Sequence, residues 1–194
     1  MIKKNKNYSM MVILVLCLLF IPSIVKSAEK GFYVDVSVSL FSNSDVDFKE
    51  AYKSSIMVPE INLGYFFTDN LYVIGGYEFY KVDGKTPEWD FTLNMDQKIL
   101  SLGAGYFKEF SEKLGLSGEL GLVSISYTEK LIDLELENKD SCIGFRLRTK
   151  LQYKISNLIG LYLKLGYTIA KDTIDDVENN FGGISTGVGI NIFF

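Results

Sequence analysis

The chain has 194 residues, with 20 Lys and Arg, 24 Asp and Glu, no histidine and a formal charge of −4. Its acidic balance excludes nucleic acid as a partner, which calls for a basic surface. The missing imidazole excludes serine–histidine pairs, histidine general bases and histidine metal sites, so no enzymatic activity and no cofactor are expected.

Lys3, Lys4 and Lys6 precede an apolar run from about Met10 to Val25, interrupted by Pro22. A run of that length is short for a membrane span and reads as the core of a signal peptide. The expected division is therefore a signal peptide at 1–27, cleaved after Ser27 or Ala28, and one domain over 28–194. Cleavage removes four lysines and no acid, which moves the formal charge to −8. It also leaves Cys142 as the one cysteine, because Cys17 lies inside the leader. An intramolecular disulfide is then impossible.

From Phe32 onward apolar residues recur at every second position, as in strands with one greasy face. Phe32, Val34, Val36, Val38 and Leu40 alternate with Tyr33, Asp35, Ser37 and Ser39. Ile61, Leu63, Tyr65 and Phe67 alternate with Glu60, Asn62, Gly64 and Phe66. Pro59 is expected to open this second strand or to form a bulge, because it cannot donate to a ladder. Further strands are expected near 71–82, 97–108, 114–128, 142–155, 159–170 and 183–194, making eight. Tight turns at 68–70, 109–113 and 156–158 alternate with long links at 42–56, 83–96, 129–141 and 171–182. Short periplasmic turns alternate with long extracellular loops in this way, and both ends of the chain then lie in the periplasm.

Residue size and charge decide which face meets which solvent. The apolar set is large and continuous, whereas the opposite set holds Asp35, Glu60, Glu78, Glu119, Arg146, Arg148, Lys150 and Lys164 among glycines and serines. In the sixth strand Arg146, Arg148 and Lys150 occupy three consecutive positions of one face, a row that a dry soluble core does not accept without partners. The expectation is an all-β, eight-stranded antiparallel transmembrane barrel whose narrow lumen is plugged by ion pairs, Glu119 lying near Arg148 or Lys150.

The loops carry an acidic excess. Asp83, Glu88, Asp90 and Asp96 face Lys85; Glu129, Asp133, Glu135, Glu137 and Asp140 face Lys130 and Lys139; Asp172, Asp175, Asp176 and Glu178 face Lys171. Such a rim suits divalent cations shared with lipopolysaccharide phosphates, although Asp172, Asp175 and Asp176 lack the spacing of a calcium loop. Trp89 and Phe91, beside Pro87, serve either as an anchor for a partner or as part of the interfacial aromatic girdle. Cys142 is placed at the start of the sixth strand and has no assigned role.

The final strand alternates Ile184, Thr186, Val188, Ile190, Ile192 and Phe194 with glycines and polar residues. With the Gly-Tyr-Phe-Phe-Thr-Asp-Asn-Leu hairpin at 64–71 and the repeated glycine–tyrosine pairs, the chain resembles the OmpA- and OmpX-type family of small outer-membrane barrels, opacity proteins included. The resemblance implies location in the bacterial outer membrane among lipid and lipopolysaccharide. It also implies recognition of Val188, Ile190, Ile192 and Phe194 by the outer-membrane assembly machinery. It implies no single activity, since such barrels serve adhesion, resistance to host defence, envelope integrity or solute passage. The leading expectation is a surface role carried by the loops toward a host or surface partner. The alternatives are a narrow pore gated by the interior ion pairs and a soluble periplasmic ligand-binding barrel.

Overall fold

A computed structural model describes residues 31–52, 54–174 and 177–194, without the side chains of 173–178. The expected signal peptide and Cys17, and the acids Asp175 and Asp176, lie outside the described residues. Among these described residues nine strands follow in chain order: β1 Phe32–Asn43, β2 Ile56–Phe66, β3 Leu71–Lys85, β4 Thr92–Glu109, β5 Leu114–Leu131, β6 Leu136–Lys154, β7 Ile159–Ile174, β8 Val177–Asn180 and β9 Gly183–Phe193. A six-residue helix, α1 Val46–Ala51, lies between β1 and β2, with Asp45 capping it by accepting from the backbone of Asp47 and Phe48. That side-chain oxygen satisfies two of the amides a helix start leaves free.

Each long strand pairs antiparallel with its neighbour, and β1 pairs with β9, β9 with β7 and β7 with β6. The sheet therefore closes on itself as an eight-stranded barrel with no free edge through its middle. The short β8 forms a hairpin on the end of β7 and leads through Phe181 and Gly182 into β9.

The outward residues of β6 run from Ile143 to Tyr153 as Ile143, Phe145, Leu147, Thr149, Leu151 and Tyr153, all exposed. Ten residues at about 3.3 Å each, tilted by about 40°, span about 25 Å, the height of a barrel's lipid-facing band. Leu163, Leu165, Val188 and Ile190 continue this band around the wall. Tyr65, Tyr106 and Tyr153 stand exposed along its turn-side margin.

Strands run well past the band at the loop end. The expected long links at 83–96 and 129–141 are mostly strand, leaving residues 86–91 and a 3-10 turn at Ile132–Leu134 as the connections. Pairing continues as far as Lys85 with Thr92 and Leu131 with Leu136, because the alternation persists there with its polarity reversed. On β5, Leu116, Leu120 and Leu122 point outward, whereas beyond them Val123, Ile125 and Tyr127 point inward and Ser124 and Ser126 outward. The same reversal follows Phe79 on β3, where Lys81 and Asp83 face out and Tyr80 and Val82 face in.

Two local expectations are corrected. Pro59 is the fourth residue of β2, paired with Val38, and is tolerated because β2 and β3 begin to pair only at Glu60 and Glu78. Cys142 lies seven residues into β6, buried in the upper lumen.

Candidate functional site: a sealed lumen and a strand crown

All eight predicted charged residues face the lumen and are buried. Asp35 comes from β1, Glu60 from β2, Glu78 from β3, Glu119 from β5, Arg146, Arg148 and Lys150 from β6, and Lys164 from β7. They form one connected network. Arg148 reaches Glu60 at 2.6 Å and Glu78 and Glu119 at 3.5 Å each. Lys150 lies 2.6 Å from Asp35 and 2.8 Å from Glu119. Arg146 pairs with Glu78, and Lys164 pairs with Glu60. Neighbouring hydroxyls meet remaining valences: Tyr72 donates to Glu119 at 2.8 Å, Tyr162 donates to Asp35, and Thr168 accepts from Arg146 Nε at 2.9 Å. Buried charges persist only with this density of partners.

The network is closed at both ends by layers the sequence reading did not identify. Toward the turns, the rings of Tyr33, Phe66, Tyr72, Phe107 and Phe193 pack with centroids 4.8–6.2 Å apart. Tyr33 lies directly across from Gly64 and Tyr72 from Gly105, where a Cβ would stand 2.1 Å and 2.3 Å from the ring, so glycine is what lets each ring lie on the wall. Toward the loops, Ile56, Val58, Val82, Met95, Val123, Ile125 and Phe181 form an apolar core inside the barrel, with Phe48 and Tyr52 packed on it. The signal for this layer was the reversed alternation of β3 and β5, which places apolar residues inside once the strand has left the hydrocarbon. Beside the network, a gap of about 10 Å³ among Glu60, Glu78, Arg148 and Lys164 has room for about one water at most.

Above the band β3–β6 continue as a four-stranded extension, here called the crown together with α1 and the β7–β8 hairpin. Tyr52 donates to Glu129 of β5 and fastens α1 over the apolar core. The tips of the two hairpins are joined by Thr92 N donating to Asp133 Oδ2 at 2.6 Å. Asp96 pairs with Lys81 at 2.6 Å, Asp83 accepts from Asn94, and Glu137 pairs with Lys130 and Lys139. These lysines hold the Glu137 carboxyl down to about 2. No group of three or more acids or thiols converges to hold a metal among the described residues. Trp89 is 70% exposed and stacks on Phe91 at the β3–β4 tip, with its strand ending six residues beyond Phe79, the last apolar residue facing out. At about 3.3 Å per tilted residue that places it about 15 Å above the band, outside any interfacial girdle.

An apolar belt outside, a charged lumen stoppered above and below, and strands that extend beyond the belt define a closed transmembrane β-barrel of the small outer-membrane type. Solved structures share this fold. The outer membrane protein OprG from Pseudomonas aeruginosa superposes with a TM-score of 0.66 at 13% identity, covering 88% of this chain and 99% of that one. Neisserial surface protein A gives 0.61 at 15%, covering 86% and 98%. Ail, the attachment invasion locus protein of Yersinia pestis, solved with the heparin analogue sucrose octasulfate, gives 0.54 at 15%, covering 85% and 97%. No family model matches the sequence, and no curated protein sequence is significantly similar to it.

Proposed function

We propose that this is a non-enzymatic bacterial outer-membrane protein whose plugged barrel is an anchor and whose crown makes contacts at the cell surface, with a host or another surface, or with lipopolysaccharide in support of the envelope. Residues 1–27 act as the export signal. Val188, Ile190, Ile192 and Phe194 serve as the assembly signal in the last strand, and both ends of the barrel domain are periplasmic.

The observation that carries this reading is the double seal. A solute crossing the lumen has to displace an aromatic layer, eight paired charges and an apolar core, so opening the ion pairs alone does not make a pore. A soluble ligand-binding barrel is disfavoured because its exterior would be the polar face. With the lumen unable to pass or hold a solute, the exposed crown is what remains for function. The name of Ail, a barrel of the same fold, is in keeping with surface contact. Its heparin-analogue ligand is not carried over, because Lys81, Lys85, Lys130 and Lys139 of this crown are each paired with an acid, while Asp45, Asp47, Glu50, Glu88, Asp133 and Glu135 add negative charge that repels a polyanion.

The test replaces residues 81–96 and 129–139 by short turns, leaving the barrel wall. Cells lacking the protein are complemented with either form and scored for adhesion, serum survival and detergent sensitivity. Loss of the phenotype with the shortened barrel still in the outer membrane supports the reading. Full rescue by the shortened barrel, or steady conductance of the refolded protein in planar bilayers, overturns it.

A further inference from the structure

The crown has an open sheet edge. β6 pairs with β5 from Tyr153 up to Leu136, but its pairing with β7 ends at Gly144 and Ala170, although β7 itself runs on to Ile174 and pairs with β8 on its other side. Among the described residues Leu136–Ser141 therefore pair with β5 alone, and all six residues are exposed. The matching edge of β3 is different, because α1 crowds it: a Cβ on Gly84 would stand 2.3 Å from the Ala51 carbonyl oxygen and 2.7 Å from the Tyr52 ring.

Three features of the β6 edge describe what fits it. Ser141 N donates to the Asp140 side chain at 2.7 Å rather than to a strand, so its amide points away from β5. By the alternation of an antiparallel ladder, Lys139 and Glu137 present their amides and carbonyls to the same open side. A cross-strand row of leucines, Leu93 paired with Leu131 and Leu131 with Leu136, runs toward the edge and passes from 8% exposed at Leu93 to 60% at Leu136. The row stops where the sheet stops, and one more strand would continue it. Asp140 lies on the same inner face four residues along, whereas Glu137 on the outer face is already paired with two lysines.

We propose that the open edge of β6, Leu136–Ser141, docks an extended segment of another protein by strand addition, with a basic residue opposite Asp140 and an apolar residue opposite Leu136. The proposal rests on the surface-contact reading and names the chemistry of the partner. Backbone pairing supplies affinity, and the two inner-face side chains supply register. In antiparallel pairing the basic residue precedes the apolar one by four positions.

The full chain, refolded in phospholipid nanodiscs, is titrated into a fluorescent peptide Thr-Thr-Lys-Thr-Ser-Thr-Leu-Thr-Thr and into a control with the lysine and leucine on opposite faces. Saturable binding is expected to weaken by at least about tenfold for the control, for Leu136→Glu and for Lys139→Pro, where the lost amide points away from β5. Asp140→Lys is expected to restore binding to a peptide with glutamate in place of lysine. The Glu137 and Lys139 amides should gain protection from exchange when the peptide is bound. No saturable binding, or equal binding by Lys139→Pro with unchanged barrel circular dichroism, overturns the proposal. On cells the two readings separate: if Lys139→Pro supports adhesion fully while the crown-shortened barrel does not, surface contact stands and edge docking falls.

Discussion

Lys150→Met is the substitution whose cost the lumen predicts most sharply. Its ammonium lies 2.6 Å from Asp35, and among the described residues it is the one cation that pairs with that 0%-exposed carboxylate. At an effective dielectric near 20 the contact is worth about 6 kcal/mol of gross attraction, and breaking one side of a buried pair costs about 3–5 kcal/mol. Lys150→Met belongs at the upper end, about 5 kcal/mol, because only the Tyr162 hydroxyl remains to Asp35. Arg148→Met, despite three carboxylate partners, belongs near 3 kcal/mol, because Glu60 keeps Lys164, Glu78 keeps Arg146 and Glu119 keeps Lys150. Adding Asp35→Asn to Lys150→Met removes the orphaned charge and should recover stability to within about 2 kcal/mol of wild type. Equilibrium urea unfolding in phospholipid vesicles, followed by circular dichroism, measures all four proteins. A Lys150→Met barrel within about 1 kcal/mol of wild type, or a double variant as unstable as the single, would refute the reasoning.

Gly103 and Gly121 face each other across β4 and β5, and a Cβ on either would stand 2.8 Å and 2.7 Å from a backbone carbonyl of the partner strand. Gly103→Val should block refolding, judged by loss of heat-modifiable migration, whereas Gly118→Ala, with nothing within 4 Å, should refold as wild type. Trp89 is the one tryptophan in the chain and stands in the crown, so its fluorescence should be quenched by acrylamide and not by brominated lipid. Quenching by the lipid would return it to the girdle. Refolded protein should show no steady openings in planar bilayers, and channels that vanish with Glu119→Gln would contradict the double seal. Because Lys130 and Lys139 hold Glu137 below its ordinary 4.5, their support of the β5–β6 tip is present above that value and fades as pH falls toward about 2. Hydrogen exchange at Leu131 and Leu136 should be steady from neutral pH to about 5 once the intrinsic rate is corrected, and fraying that begins above about 5 would count against the pairing.

The barrel was legible because a lipid-facing wall writes period two plainly: the band residues of β1, β2, β6 and β9 are apolar at every second position save Thr149 and Thr186, and the lumenal charges fall on the other face. The strand ends were not legible by that rule, because it takes apolar residues to be the outward ones. Past Phe79 on β3 and Leu122 on β5 the outer solvent changes from hydrocarbon to water, so charged and hydroxyl side chains turn outward and Tyr80, Val82, Val123 and Ile125 fill the inside. Read for membrane alternation alone, these strands end near 82 and 128, and their continuations within 83–96 and 129–141 look like loops. The aromatic layer was missed because Tyr33 and Tyr72 count as polar in a two-letter pattern, while their role depends on glycines across the ladder, 31 and 33 residues away in sequence. The charged cluster came from the composition of one face, and of its contacts only Glu119 with Arg148 or Lys150, on neighbouring strands, was legible; the others join strands that meet only when the barrel closes. Leu93, Leu131 and Leu136 likewise become one row only through register.

The most direct test of the arrangement places spin labels, in a Cys142→Ala background, at Leu122, Leu163 and Ile190 within the outward band and at Ser126 just beyond the reversal on β5. The account predicts that the first three collide with oxygen dissolved in lipid, while Ser126 collides with a water-soluble nickel complex. Band labels that respond to nickel and are shielded from oxygen would mean that the oily face is turned inward, and the lumen described here would not exist.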